Sequence, residues 1–388
     1  MTFADLALIV ACGLVGVILA GLPRFALPVV VGEIAAGVVI GRTGFGIIDP
    51  AEPTLAFLSA IGFALLMFAV GTALPLRDPG LRRSLGAGVR VLAVAAVLAL
   101  VGGFALAAIT TVHHPLMIAI LLVTSSAAVV MPVLAEGGLT HTQVGLITAA
   151  WVTLADIGSV AALPFALVHG SSLNVVIGGI VVTAATVGIW AVLRAARSQD
   201  WYRRYRRLSH HRGWGLDLRI SLMSLFVLAW LAVRIGTSVL VAGFCAGAVV
   251  ALVGEPKRLA WQILGIGQGF FIPLFFVVLG AQINLRALVT KPADLLFAVI
   301  LAAAIVVVHA GAAKVARLPL SSGLIATAQM GVPAAVVAVG LATHVLTPGQ
   351  AAAVLTATLI SIGVMTLGTR MLTRESRVTG PPAVTTEP

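Results

Sequence analysis

The sequence predicts an all-α polytopic membrane protein of about thirteen transmembrane helices. Three observations carry that prediction. Of 388 residues, 60% are hydrophobic and only 10% charged, and the mean hydropathy is +1.13. Apolar runs of about 20 residues, the length a bilayer-crossing helix needs, fill nearly the whole chain. The 41 Gly and 18 Pro fit the same class, because both are commoner in membrane helices than in soluble ones.

In chain order the spans are read as 4–21, 25–42, 54–74, 86–111, 115–136, 142–169, 172–195, 214–233, 237–253, 257–282, 292–315, 319–343 and 347–373. The opening "MTFADLALIV" has no basic stretch ahead of its apolar run, so a retained span is expected there rather than a cleaved leader. Cys12 and Cys245 lie inside apolar runs without metal or redox spacing and read as packing residues. The closing "RVTGPPAVTTEP" reads as a disordered tail.

The net charge of +11 does not point to nucleic acid, because the basic residues sit in short loops between apolar runs. With the N-terminus outside, 19 Lys and Arg fall in or beside cytoplasmic loops and four, Arg42, Arg234, Arg286 and Lys291, fall outside. The positive-inside rule then sets N-out, C-in. Arg24, Arg77, Lys257 and Arg258 are among the cytoplasmic set. The densest run, "WYRRYRRLSHHRGW", is a cytoplasmic linker that has two readings: contact with anionic lipid, or a solvated topology signal.

The two halves resemble each other. "GTALPLR" (Gly71–Arg77) and "GAQINLR" (Gly280–Arg286) align at an offset of 209, "GEIAAGVV" and "AGFCAGAV" at 210, and "TSSAAVV" and "GVPAAVV" at 207. Near-constant offsets in chain order make helices 1–6 a repeat of helices 8–13, with one linking helix between. That odd crossing inverts the second copy, the build of many secondary transporters.

Sites in such proteins lie near the midplane, often at broken helices. "VTSSAAVVMPVLAEGG" places Thr124, Ser125 and Ser126 ahead of a mid-helix Pro132. "TAQMGVPAAVVAVG" places Gly331 and Pro333 inside an apolar run. Proline removes a backbone donor and clashes with the preceding turn. Each segment is therefore read as a helix break whose carbonyls and hydroxyls can hold a cation or satisfy one another, or else as a simple kink. Asp156, in "WVTLADIGSV", is a lone carboxylate midway along the next span. Buried carboxylates in membranes are functional by default. A proton or a bound monovalent cation neutralises one equally well, which is what an exchanger needs. Lys314, in "HAGAAKVARLP", either snorkels to the interface or points inward to compensate the helix breaks or Asp156. His309, one turn earlier, reads as a packed neutral histidine, and Glu33 as a packing or funnel residue. Glu136, His113, His114 and His141 sit at span ends and read as solvated. No nucleophile elbow, P-loop or Cys/His metal spacing suggests an enzyme, and no cofactor is implied.

At this point the chain resembles the monovalent cation:proton antiporter superfamily, nearest its second family, the Kef/Nap-type exchangers. The carriers are "LPVVVGEIAAGVVIGRTGFGII", "IGFALLMFAVG", "TSSAAVVMPVLAEGGL" followed by "ADIGSVAAL", "FIPLFFVVLGAQINL" and "HAGAAKVARLP", in family order over residues 5–373. The resemblance implies a homodimer, and two crossed broken helices in a core domain that moves like an elevator against a scaffold. It assigns 1–85 and 214–285 to scaffold, 86–169 and 286–373 to core, 170–213 to a linker helix and basic loop, and 374–388 to a tail. It carries the ion-binding aspartate onto Asp156 and the core lysine onto Lys314. Two departures stand out: Ala155 replaces the usual Asn, Asp or Gln, and "AQMGVPAA" replaces an Arg-Gly-Glu stretch. No nucleotide-binding domain follows residue 373, so gating by one is not expected. The expected function is sodium- or potassium-for-proton antiport in the inner membrane, with membrane lipids as partners. The alternatives are a carrier of another small solute on the same scaffold and a non-transporting sensor.

Overall fold

In the computed structural model, the described residues are 1–21, 29–72, 79–136, 138–139, 142–167, 172–212, 214–235, 239–253, 265–283 and 285–379. Among them every regular element is helical, and nine helices are long and apolar enough to cross a membrane. Three shorter apolar helices accompany them, at Val29–Ile40, Val241–Val250 and Gly267–Gln282. The chain is a multi-pass membrane protein. Arg24, Arg77, Lys257, Arg258, His141 and the end of the expected tail lie outside the described residues.

Contacts divide the chain into two compact units. The first comprises Met1–Leu76, Val160–Ala298 and Gly331–Leu355. It contains α1 (Phe3–Ala20), α2 (Val29–Ile40), α3 (Pro53–Thr72), α8 (Ser172–Ser198), α9 (Asp200–Arg212), α10 (Leu216–Ile235), α11 (Val239–Val253), α12 (Ile272–Gln282), α13 (Leu285–Thr290) and α16 (Gly331–Ala342). Lipid tails are as apolar as leucine, so helices here associate by close packing, which small residues permit. A β-carbon on Gly32 of α2 would lie 2.6 Å from the Gly16 α-carbon of α1. One on Gly37 would overlap the Val277 carbonyl of α12, and one on Gly247 of α11 the Phe68 carbonyl of α3. The repeated glycines of "GEIAAGVV" and "AGFCAGAV" thus sit at helix crossings. Glu33 is buried in α2 beside Gly16, in keeping with its packing reading. Outside the spans, the Leu55 N–H donates to Glu52 at 2.7 Å, capping α3 and holding that carboxyl below its ordinary range. Ahead of α12 the backbone widens into a π turn over Gly267–Phe271. Pro273 supplies the cause: its ring cannot follow a tight turn and offers no N–H to close one.

The second unit comprises Arg77–Ser159, Val299–Met330 and Thr356–Pro388. It holds α4 (Pro79–Ile109), α5 (Pro115–Val123), α6 (Ala127–Glu136), most of α7 (Gln143–Leu167), most of α14 (Pro292–Val315), α15 (Leu320–Ala326) and the greater part of α17 (Pro348–Thr379). Gly103 brings α4 against Pro115 and Ala119 of α5, and Gly323 brings α15 against His309 and Ala310 of α14. Pro79 starts α4 earlier than expected, in the first turn where a missing N–H costs nothing.

Three expectations are corrected here. The basic linker is not an irregular loop but contains helix α9. The tail expected from residue 374 is still helical to Thr379. The breaks in the two interrupted spans do not fall on their prolines. The helix 115–136 is interrupted at Thr124–Ser126, whereas Pro132 lies inside α6; it costs one intrahelical hydrogen bond without ending the helix. The helix 319–343 is interrupted at residues 327–330, and Gly331 and Pro333 open α16, whose first-turn N–H groups have no intrahelical acceptor anyway.

Candidate ion-binding site

The two interruptions meet inside the second unit. Thr124 ends α5 in an extended conformation, φ −67° and ψ 150°. The chain then turns so that the Ser126 N–H donates to the Ala328 carbonyl at 2.8 Å, and the Ser125 hydroxyl reaches the same oxygen at 3.4 Å. Thr327, at the end of α15, donates to the Leu324 and Ser361 carbonyls at 2.7 and 3.0 Å. Gln329 crosses back, its Nε2 donating to the Leu121 carbonyl of α5 at 2.8 Å. Each break therefore satisfies polar groups that the other frees, as backbone inside a membrane must.

Asp156 enters from α7. It is 3% exposed, and its Oδ2 accepts the Ala127 N–H at 3.0 Å. That N–H is the first of α6, so the carboxylate caps a helix start, where orphan donors and the helix dipole favour negative charge. Among the described residues no cation pairs with it; the pairs of Met1 with Glu52 and Arg206 with Asp217 lie elsewhere. One N–H alone does not repay the cost of burying a carboxylate.

The surroundings offer oxygen. Thr124, Ser125 and Ser126 are all buried, and the Thr124 hydroxyl has no hydrogen-bond partner among the described residues. Neither has the Gln329 Oε1. Thr153 and Ser159 lie one turn either side of Asp156, so they share its helix face, and both hydroxyls are buried without partners among the described residues. Neutral oxygens of this kind are the ligands a hard cation takes. No group of three His, Cys, Asp or Glu that would hold a transition metal occurs among the described residues. Sequence reasoning missed Gln329, Thr153 and Ser159; the spacing of the last two about Asp156 was the available signal.

Two flanking residues behave differently. His309 is fully buried, its ring stacked on Trp151 at 5.6 Å, with Nδ1 2.9 Å from the Ile305 carbonyl. This fits its reading as a packed residue. Lys314 is exposed, in the last turn of α14. The inward placement expected from the sequence is not found, since a long side chain near a helix end can leave the apolar layer. Lys314→Ala is accordingly expected to leave thermal stability within about 0.5 kcal/mol of wild type. A thermal-shift measurement in detergent checks this, and a large loss would restore the inward role.

The transmembrane sodium/hydrogen exchanger family model matches residues 8–375. The chain belongs to that family. The chain is 23% identical over 358 residues to a putative Na(+)/H(+) antiporter of Bacillus subtilis, covering 87% of this chain and 58% of that one. It is 29% identical over 278 residues to the glutathione-regulated potassium-efflux protein KefC of Enterobacter, covering 70% and 44%. It is 25% identical over 273 residues to a probable Na(+)/H(+) antiporter of Methanocaldococcus jannaschii, covering 69% and 68%. The chain thus spans only about half the length of the first two of these curated relatives. The sodium proton antiporter MjNhaP1 of Methanocaldococcus jannaschii shares its fold, with a TM-score of 0.59 at 17% identity over 97% of both chains.

Proposed function

We propose that this chain is a secondary antiporter that exchanges sodium or potassium for protons, with Asp156 as the shared site. The observation that supports it best is the buried Asp156 carboxylate capping α6 where two interrupted helices meet. A cation bound there displaces the proton, and a proton displaces the cation. Competition for one negative charge couples the two fluxes. The proposal includes thirteen crossings arranged as an inverted repeat, with the interrupted helices crossing in a core. In this reading the core, 86–169 and 286–373, moves like an elevator against a scaffold of 1–85 and 214–285 in a homodimer. The chain lies in the inner membrane with its N-terminus outside, and lipids surround it.

The reading is tested in everted vesicles holding a respiratory proton gradient. Sodium or potassium added outside should release the gradient, and no response to any alkali cation would overturn the proposal. Within it, the hydroxyls supply the shell. Alanine at whichever of Thr124, Ser125 or Ser126 ligates the ion is expected to raise the KM for the cation about tenfold or more, since a contact to a charged group is worth about 1.5–3 kcal/mol. Unchanged KM in all three variants would leave the shell to carbonyls, Gln329 and water.

Exchange is expected to be electroneutral, one cation for one proton. Ala155 and the uncharged "AQMG" leave Asp156 as the site's one carboxylate. The site is neutral with either ion bound. A membrane potential, worth roughly 2.3 kcal/mol per charge per 100 mV, then does no net work. Proteoliposomes clamped with potassium and valinomycin at zero pH gradient decide it: sodium flux that follows the imposed potential rules out the one-for-one cycle.

A further inference from the structure

Helix α9 is the most strongly charged element among the described residues, and it presents three distinct faces. Tyr202, Arg206 and Ser209, at i, i+4 and i+7, turn towards the protein. Tyr202 and Ser209 are buried, Arg206 pairs with Asp217 of α10 at 3.0 Å, and the Ser209 hydroxyl accepts the Leu216 N–H at 3.0 Å. Those contacts fix how the helix is rotated. Its second face then carries Trp201, Tyr205 and Leu208, which are 59%, 57% and 37% exposed, followed by Arg212. Arg204, also exposed, flanks this stripe, and Arg203 and Arg207 lie on the third face. A solvated linker has no reason to display two aromatic rings and a leucine in register.

Connectivity says what this stripe meets. One residue, Gln199, separates α9 from the apolar span Ile180–Ser198, and residues 213–215 separate it from the span Leu216–Ile235. At about 3.5 Å per residue step, neither end of α9 can lie more than about 7 or 14 Å from the end of its neighbouring span. The neighbouring rings mark the same level. Arg194 lies over the Trp190 ring at 5.2 Å, and Arg212 over the Trp214 ring at 5.4 Å. Indole and phenol rings collect at the headgroup layer, and a basic helix with an aromatic stripe lies in that layer. Its positive charge selects the headgroups.

We infer that α9 is a membrane-surface docking element for anionic phospholipid, with Trp201, Tyr205 and Leu208 seated at the boundary between headgroups and acyl chains and Arg204 and Arg212 on the headgroup phosphates. The inference does not depend on which ions the chain exchanges.

The full chain in detergent, titrated with phosphatidylglycerol or phosphatidylcholine and followed by native mass spectrometry, should prefer the anionic lipid. Arg204→Gln combined with Arg212→Gln should reduce that preference about twenty-five-fold, at about fivefold per arginine. Arg234→Gln with Arg286→Gln, the same loss of charge elsewhere, should leave it unchanged. In bilayers doped with brominated phosphatidylglycerol, the Trp201 emission, taken as the difference between wild type and Trp201→Phe, should be quenched. This second readout needs no arginine variant to fold. An unchanged lipid preference in Arg204→Gln/Arg212→Gln overturns the inference. So does Trp201 emission quenched by aqueous iodide rather than brominated lipid. Emission shielded from both quenchers assigns the face to a second copy of the chain and overturns it equally.

Discussion

Asp156→Asn is expected to reduce cation-dependent proton movement to the level of protein-free vesicles. The amide can neither take up a proton nor balance a cation, so both half-reactions of the exchange disappear together. The fold should survive. An asparagine oxygen still accepts the Ala127 N–H that Asp156 accepts at 3.0 Å, and asparagine is as good a helix cap as aspartate. Removing a buried charge also removes its desolvation cost. The variant is therefore expected to unfold at or above the wild-type temperature while being inert. Purified, well-folded Asp156→Asn that still exchanges would sink the assignment of the site. Inactivity accompanied by misfolding would leave the loss unexplained, so the thermal profile must be measured on the same preparation.

The second large effect is expected at Gln329. Its Nε2 serves the Leu121 carbonyl at the end of α5, and its Oε1 is buried with no partner among the described residues. Gln329→Leu keeps the volume and removes both functions. The Leu121 carbonyl is left without that donor, which costs about 1–3 kcal/mol. The brace between the interrupted helices is lost with it, so thermal stability should fall visibly. If Oε1 also faces the transported ion, the KM for the cation should rise as well, beyond what lost stability explains. Gln329→Glu separates the two roles, because it retains an oxygen but adds a second carboxylate. It should restore cation affinity and, by the charge count above, make flux follow the membrane potential. A stability loss with unchanged KM would confine Gln329 to bracing.

Much of this was legible without coordinates. An apolar chain with its charges confined to short stretches has no soluble solution, so helical membrane crossings follow from the cost of unpaired backbone in lipid. Asp156 was legible for a related reason. A solitary carboxylate in a long apolar run is too costly to be kept without a use.

Other features depended on partners far away in the chain. The prolines suggested that two helices break, but the places where they do so are set by hydrogen bonds between residues about 200 apart. The Ser126 N–H can leave its helix because the Ala328 carbonyl receives it. Pro132 and Pro333 only weaken or start the helices beside those points. Gln329 is an ordinary amide in the sequence; only the approach of Leu121 gives it a role. The direction of Lys314 depended on which side of α14 faces other helices, and α14 carries apolar residues all round, so its pattern could not say. In α9 the stripes were present in the sequence, but which one faces outward was decided by Asp217 and Leu216, on the next helix. Composition and periodicity therefore determined the class of the molecule and singled out its lone mid-span carboxylate. The tertiary structure decided where the two helices break and that the Asp156 carboxylate caps α6, because hydrogen bonding in a membrane interior is settled between segments and not within them.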